Sequence, residues 1–380
     1  ELANHIRGTQ VRFIGAGTIG VAAIWSLIRL VRPVFEGMLA TARAKPSKAT
    51  GATDDRDISL GMIGLLTLVC LGAIGWLLFD FIQGTKLAPL TWPLVVGGVA
   101  FTVIVGGFIA TVAGYMAGLI GASNSPVSGI GILSIVIGAL LLAWFAQPIL
   151  GVDANDALIA FALFAVAIVF SIATISNDNL QDLKTGQLVG ASPWRQQVAL
   201  IIGVIAGAAV IGFVLNILNQ AYGFPGDPNR HAISAEPLGA PQAALISTLA
   251  KGVLNAELDW NLIAIGAMIG VAAISIDEAL GKLKWLRLPP LAIGIGIYLP
   301  MDATSPVILG ALIGWLYNRA VAKAAEGEML KRFGVLLASG LIVGESLLGV
   351  LNAGLIAGTG LATPLALVGP DFVQAGTIGA

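Results

Sequence analysis

Charge is scarce in this 380-residue sequence: only 11% of its residues are Asp, Glu, Lys or Arg, whereas a water-soluble domain carries about 25%. Cysteine and histidine are scarcer still, at one and two residues. The lone Cys70 excludes an internal disulfide framework and a thiolate metal site, and its apolar setting reads as a small buried hydrophobe. His5 and His231 stand apart, with no H-E-x-x-H or paired-histidine spacing, so no metal site, no cofactor and no enzyme centre is expected. A net charge of −1 lacks the basic excess that a nucleic-acid partner would require.

What the sequence has is apolar length. Hydrophobic residues make up 57% of it, and windows of about 17 to 25 residues, enough to cross about 30 Å of hydrocarbon, recur at 10–31, 58–82, 91–118, 130–147, 157–175, 197–218, 260–276 and 333–357. The expected fold is all-α, a polytopic transmembrane helix bundle whose partner is the lipid bilayer of a cell membrane. A pair at 289–300 and 304–319 is short for two crossings and is expected to form a re-entrant hairpin or a discontinuous helix. Residues 1–380 read as one integral membrane domain, and a start at Glu1 without methionine or apolar leader implies an upstream part.

Loop charge orients the path, because Lys and Arg gather on the cytoplasmic side of short loops. Segment 29–57 holds Arg29, Arg32, Arg43, Lys45, Lys48 and Arg56. The connections 176–196, 277–288 and 319–332 are also basic, whereas 83–90 holds only Lys86 and 148–156 holds Asp153 and Asp156. Alternation then places the basic loops inside and the others outside, provided that 289–319 enters and leaves on one side. Connection 219–259, proline-bearing and too polar to span, falls outside as an external loop.

Residues 11–20, VRFIGAGTIG, match the dinucleotide fingerprint G-x-G-x-x-G through Gly15, Gly17 and Gly20. That motif needs a second strand about 20 residues on, ending in an acidic residue. A helical, basic stretch follows instead, so the small residues Gly15, Ala16, Gly20 and Ala23 read as a helix-packing face.

Two polar interruptions break the apolar windows. GASNSPVSG (121–129) sets Ser123, Asn124, Ser125 and Ser128 around Pro126, which disfavours helix at Ser125. GIGIYLPMDATSPVILG (294–310) repeats the device with Tyr298, Pro300, Asp302, Thr304, Ser305 and Pro306. Unpaired backbone in hydrocarbon costs several kcal/mol, so such breaks either face a solute pathway within the bundle or are short loops at the membrane surface. Read as a pathway, both sets of polar side chains are substrate-binding candidates. Glu345, in GLIVGESLLG, lies near the middle of its window and is the candidate proton carrier; the alternative is a carboxyl satisfied by neighbouring helix groups. Asp80 and Asp277 sit at span ends and need no such explanation.

These breaks, together with QDLKTGQLVGASPWRQQ (181–197), AGYMAGLIGASNSPVSG and GIGIYLP, resemble the oligopeptide transporter family, which includes yellow-stripe-like metal-chelate carriers. NHIRGTQVRFIGAGTIGVAAIWSL and GLIVGESLLG resemble its bacterial members. The resemblance implies a proton-coupled secondary carrier that imports small oligopeptides or peptide-like metal chelates, in a bacterial inner membrane, with this chain as the C-terminal part. It further implies that Asn124, Ser125 and Pro126 fall in the family's S-N-x-P-V-S-G break and Tyr298 and Pro300 in its G-I-Y-L-P segment. Gln181, Asp182 and Lys184 match a Q-D-L-K-x-G loop, read here as a cytoplasmic gate element or a plain solvated loop. A passive channel or pore for small solutes is the alternative function, since broken helices serve it equally.

Overall fold

The structure is a computed structural model, and it describes residues 6–43, 57–120, 127–224, 231–234, 237, 240–255, 259–324 and 326–366. Among the described residues there is no strand, and the secondary structure is helical throughout. In chain order the helices are α1 (Arg12–Arg43), α2 (Leu60–Ile82), α3 (Thr91–Phe101), α4 (Gly107–Ile120), α5 (Val127–Phe145), the single turn α6 (Gln147–Leu150) and α7 (Asn155–Val189). They continue as α8 (Pro193–Ala221), α9 (Pro241–Leu254), α10 (Trp260–Lys282), α11 (Pro290–Tyr298), α12 (Met301–Val321) and α13 (Gly327–Thr359). Among the described residues, six stretches are long and apolar enough to cross a membrane: 60–82, 88–118, 152–189, 193–221, 260–282 and 327–359.

Helix ends follow local chemistry. Ser59 caps α2 by accepting from the Met62 N–H, and Asp259 caps α10 by accepting from Asn261 and Leu262. α7 ends where Gly190 turns left-handed at φ 73°. Residues 176–189, expected in a loop, are instead the last turns of α7, whose 35 residues make it about 52 Å long.

The described chain divides into two compact units, Glu1–Ile201 with Pro241–Pro300, and Ile202–Ala240 with Met301–Ala380. In the first, α1 is flanked by α10, α11, α5 and α4, while α7 packs on α4, α5 and α9. The core draws Ile19 from α1, Ile135 from α5, Leu158 and Val166 from α7, and Leu249 from α9. Residues 241–254 of the expected external loop thus form a helix seated on α5 and α7. Its last carbonyl, that of Leu254, accepts from Gln147 Nε2 at 2.7 Å and Asn155 Nδ2 at 3.0 Å.

Small residues allow α1 its close neighbours. A Cβ on Gly17 would run into the Ile263 carbonyl, one on Gly266 into the Ile14 carbonyl, and one on Gly294 would lie 2.7 Å from Ile19. Thr18 is fully buried, its Oγ1 lying 3.0 Å from the Ile14 carbonyl oxygen and 2.9 Å from that of Gly266. Residues 7–11 are a π-helical turn that runs into α1, so the G-x-G-x-x-G match is helix packing and not a strand-to-helix turn. Gly20, expected on the packing face, has nothing within 4 Å of a built Cβ; Gly17 takes that part.

In the second unit, Ala221 packs with Ala353 and Ile356 of α13, and Asn352 Nδ2 donates to the Tyr222 hydroxyl at 3.0 Å. The Tyr317 hydroxyl of α12 donates to the Leu330 carbonyl of α13 at 2.7 Å. The faces of α2, α8 and α13 are otherwise exposed and apolar, as lipid contact requires. Cys70 lies exposed on α2, not buried as its apolar setting implied: on a lipid-facing helix, hydrophobicity does not mean an interior position.

Candidate functional site

Polar contacts of the first unit gather at two ends. At one, Arg29 pairs with Glu278 at 2.9 Å, and Arg287 donates from Nε to Asp277 Oδ1 at 2.8 Å and from Nη2 to Asp277 Oδ2. The hydrogen bond to the Asp277 carboxylate holds the Arg287 guanidinium above its usual range. Gln197 joins this end by donating to Asp57 at 3.2 Å and accepting from the Ile58 N–H at 3.0 Å. At the other end, Lys86 Nζ donates to the Asp153 carbonyl at 2.8 Å, and Asn155 Nδ2 donates to Asn255 Oδ1 at 3.1 Å.

α11 starts beside the basic end and stops early. It runs antiparallel to α1, with Gly294 against Ile19 and Tyr298 against Gly15, and ends where Leu299 turns extended at φ −74°, ψ 149° before Pro300. About 21 Å of α1 separates Gly15 from Arg29. That distance is shorter than the roughly 30 Å of hydrocarbon that a spanning helix must cross. Tyr298 is 3% exposed; its hydroxyl accepts from Arg12 Nη2 at 2.8 Å, and the guanidinium lies 5.0 Å from the ring centroid.

The second polar feature is a cavity of about 310 Å³ at the basic end, lined by Asp57, Gly118, Leu180, Leu183, Lys184 and Gln187 among others. Lys184 Nζ donates to Gln187 Oε1 at 3.0 Å, while Asp57 is held by Gln197. Its walls thus carry one ammonium and one carboxylate, each bonded to an amide. A larger cleft of about 420 Å³ between α3, α5 and α7 has no charged or hydroxyl-bearing lining and offers a solute nothing to orient on.

Of the residues singled out in the sequence, Ser123, Asn124 and Ser125 lie outside the described residues, and Ser128 is in the first turn of α5. Gly129, one residue on, packs against α1 with a built Cβ 2.7 Å from that of Ala23. Asp302, Thr304 and Ser305, expected in unwound chain, stand in the opening turns of α12, where Pro306 is tolerated at the sixth position. The second break is therefore narrower than the sequence suggested, two residues between α11 and α12. Gln181 and Asp182 lie on the α7 extension, and the Asp182 carbonyl accepts from Gln196 Nε2 at 3.0 Å. Glu345 is exposed on its unit at the middle of α13, among exposed Leu341, Ile342, Leu347 and Leu348, rather than enclosed by helices. Among the described residues no group of His, Cys, Asp or Glu could hold a metal.

Sequence reasoning passed over Arg12 and Asp57. Arg12 was findable, because an arginine inside the 10–31 window is itself an ionisable group in an apolar span. Asp57 was not, since only folding brings it to Lys184.

A helical bundle that has, among the described residues, six membrane-length apolar stretches and a helix that stops at Leu299–Pro300 defines a multi-pass membrane protein of the discontinuous-helix type. More particularly, the model of the oligopeptide transporter protein family matches residues 1–356, and the chain belongs to that family. It is similar to a putative oligopeptide transporter of Haemophilus influenzae, 44% identical over 375 residues, covering 94% of this chain and 59% of that protein. The chain thus spans about three-fifths of that relative. It is also similar to a probable metal-nicotianamine transporter of Oryza sativa subsp. japonica (29% over 198 residues, 51% of this chain, 28% of the relative). A putative oligopeptide transporter of Saccharomyces cerevisiae is 27% identical over 236 residues, covering 60% of this chain and 30% of the relative. No solved structure matches the chain.

Proposed function

We propose that this chain works in secondary active transport, importing small oligopeptides or peptide-like metal chelates with protons across a bacterial inner membrane. The observation that carries the reading is the stop of α11 at Leu299–Pro300, which this reading sets inside the apolar thickness, since carriers built from discontinuous helices bind solutes where such helices end. Family membership and the names of the relatives, which cover peptides and metal–nicotianamine, support the substrate class. Both units are taken as parts of one membrane domain, with the Arg29–Arg287 end cytoplasmic and 219–259 outside. The Lys184–Asp57 cavity then lies at the cytoplasmic mouth, where Gln181, Asp182 and Lys184 of the α7 extension act as a gate. Ser123, Asn124, Ser125 and Ser128, with Tyr298, Asp302, Thr304 and Ser305, line the pathway at the two breaks.

Glu345 carries the proton in this reading. An acidic side chain at the centre of a lipid-exposed helix costs about 2.5–3.5 kcal/mol, which is hard to account for without a use for the carboxylate. Proteoliposomes holding the protein accumulate trialanine or nickel–nicotianamine saturably when an inward proton gradient is imposed. Uptake of neither solute would sink the carrier reading, and flux that neither saturates nor responds to the gradient would replace it with a channel. Glu345→Gln removes the dependence of uptake on external pH while leaving counterflow exchange intact; an unaltered pH profile removes Glu345 from the mechanism.

A further inference from the structure

Arg12 lies inside the apolar window 10–31, about 26 Å along α1 from Arg29, where a charge is costly and needs a reason. Its guanidinium has no carboxylate partner among the described ion pairs. Its Nε is buried and makes no hydrogen bond. Among the described residues the one polar side chain it reaches is Tyr298, whose hydroxyl accepts from Nη2 and so keeps its own proton for a further acceptor, of which the described residues show none. Arg7 adds a second positive charge within electrostatic range of the same hydroxyl. The C-terminal end of α11 beside Tyr298 offers roughly half a negative charge against these two full positive ones. Stapling α11 to α1 would account for the Nη2 bond and the cation–π contact. It leaves the idle Nε, the idle phenolic proton and the uncompensated charge without an explanation.

We propose that Arg12 and the Tyr298 hydroxyl form a carboxylate-binding site beside the α11 interruption, taking the carboxylate of an incoming solute. A carboxylate has two oxygens and about four lone-pair positions, which match the planar Nε/Nη edge of a guanidinium and one hydroxyl donor. Lysine would not serve equally, because a point charge cannot hold both oxygens in one plane. The inference deepens the transport reading and rests on it for the identity of the solute, but the site can be tested without transport.

The full chain in lipid nanodiscs is treated with phenylglyoxal, which modifies arginine, and reaction at Arg12 is followed by peptide mass spectrometry with exposed Arg319 as the internal control. Trialanine or nickel–nicotianamine slows modification of Arg12 about tenfold, as expected for a charge-assisted hydrogen bond lost on reaction, and leaves Arg319 unchanged. Trialanine amide, which lacks the carboxylate, gives no protection. In uptake assays Tyr298→Phe raises KM for trialanine without lowering kcat and leaves KM for the amide as it was. Arg12→Lys, which keeps the charge and the fold, loses most of the preference for acid over amide. Equal modification of Arg12 with and without both acids, or equal protection by acid and amide, overturns the site. Protection without uptake would remove the carrier reading and keep the site, while uptake without protection would do the reverse.

Discussion

Gly17 and Gly266 face each other's helices across the α1–α10 contact, each where a single Cβ would strike a backbone carbonyl. A carbonyl in a helix cannot swing aside as a flexible side chain can, so the helices must separate or tilt. Gly17→Val is therefore expected to destabilise the protein by about 1–3 kcal/mol through overpacking, and Gly266→Val by a similar amount. Gly20→Val, three residues from Gly17 with open space around it, should change stability little. Thermal unfolding in detergent measures all three, and equal effects at Gly17 and Gly20 would contradict the packing described. A run of glycines in an apolar window is enough to predict a packing face. Which glycine faces the neighbour depends on the rotation of α1 about its axis, which its partners set, and so Gly20 was misread for Gly17.

At the scale of elements, apolar length and proline located nearly every helix, including the stop of α11 before Pro300. Two readings failed, each where polar residues were taken for unwound chain. The chain from Asp302 to Pro306 contains polar residues and a proline yet lies within α12, where Pro306, at the sixth position and past the free donors of the helix start, leaves the Asp302 carbonyl without its helical donor but does not end the helix. The QDLKTG stretch is polar yet continues α7, because a helix leaving the membrane needs no apolar face to remain helical. Exposed Cys70, the only cysteine, makes a labelling test simple. In a Cys70→Ser background, Ser305→Cys should react with a water-soluble maleimide, and trialanine should slow that reaction. A Ser305→Cys protein that only a lipid-soluble reagent labels would show that the opening turns of α12 do not face a water-filled path.

For the molecule as a whole, the first unit's hydrogen bonds and ion pairs sort its loops into two ends, Arg29, Asp57, Asp277 and Arg287 at one, Lys86, Asp153, Asn155 and Asn255 at the other. Alternating loop charge made the same division from composition alone. Lys86→Cys in intact bacteria, again in the Cys70→Ser background, should be labelled by a membrane-impermeant maleimide, and Lys184→Cys only after the cells are opened. Labelling of both from outside would refute the orientation.

Apolar length determined that this chain is a membrane helix bundle, because about 30 Å of hydrocarbon sets the number of residues that a crossing needs whatever they pack against. Motif order further assigned it to its family. The tertiary structure alone decided that α11 runs antiparallel to α1, that residues 241–254 are a helix seated on α5 and α7, and that Arg12 reaches Tyr298 and Lys184 shares a cavity with Asp57. Those contacts join residues far apart along the chain, and the free energy of a contact depends on which helix faces meet, a property that hydropathy does not carry.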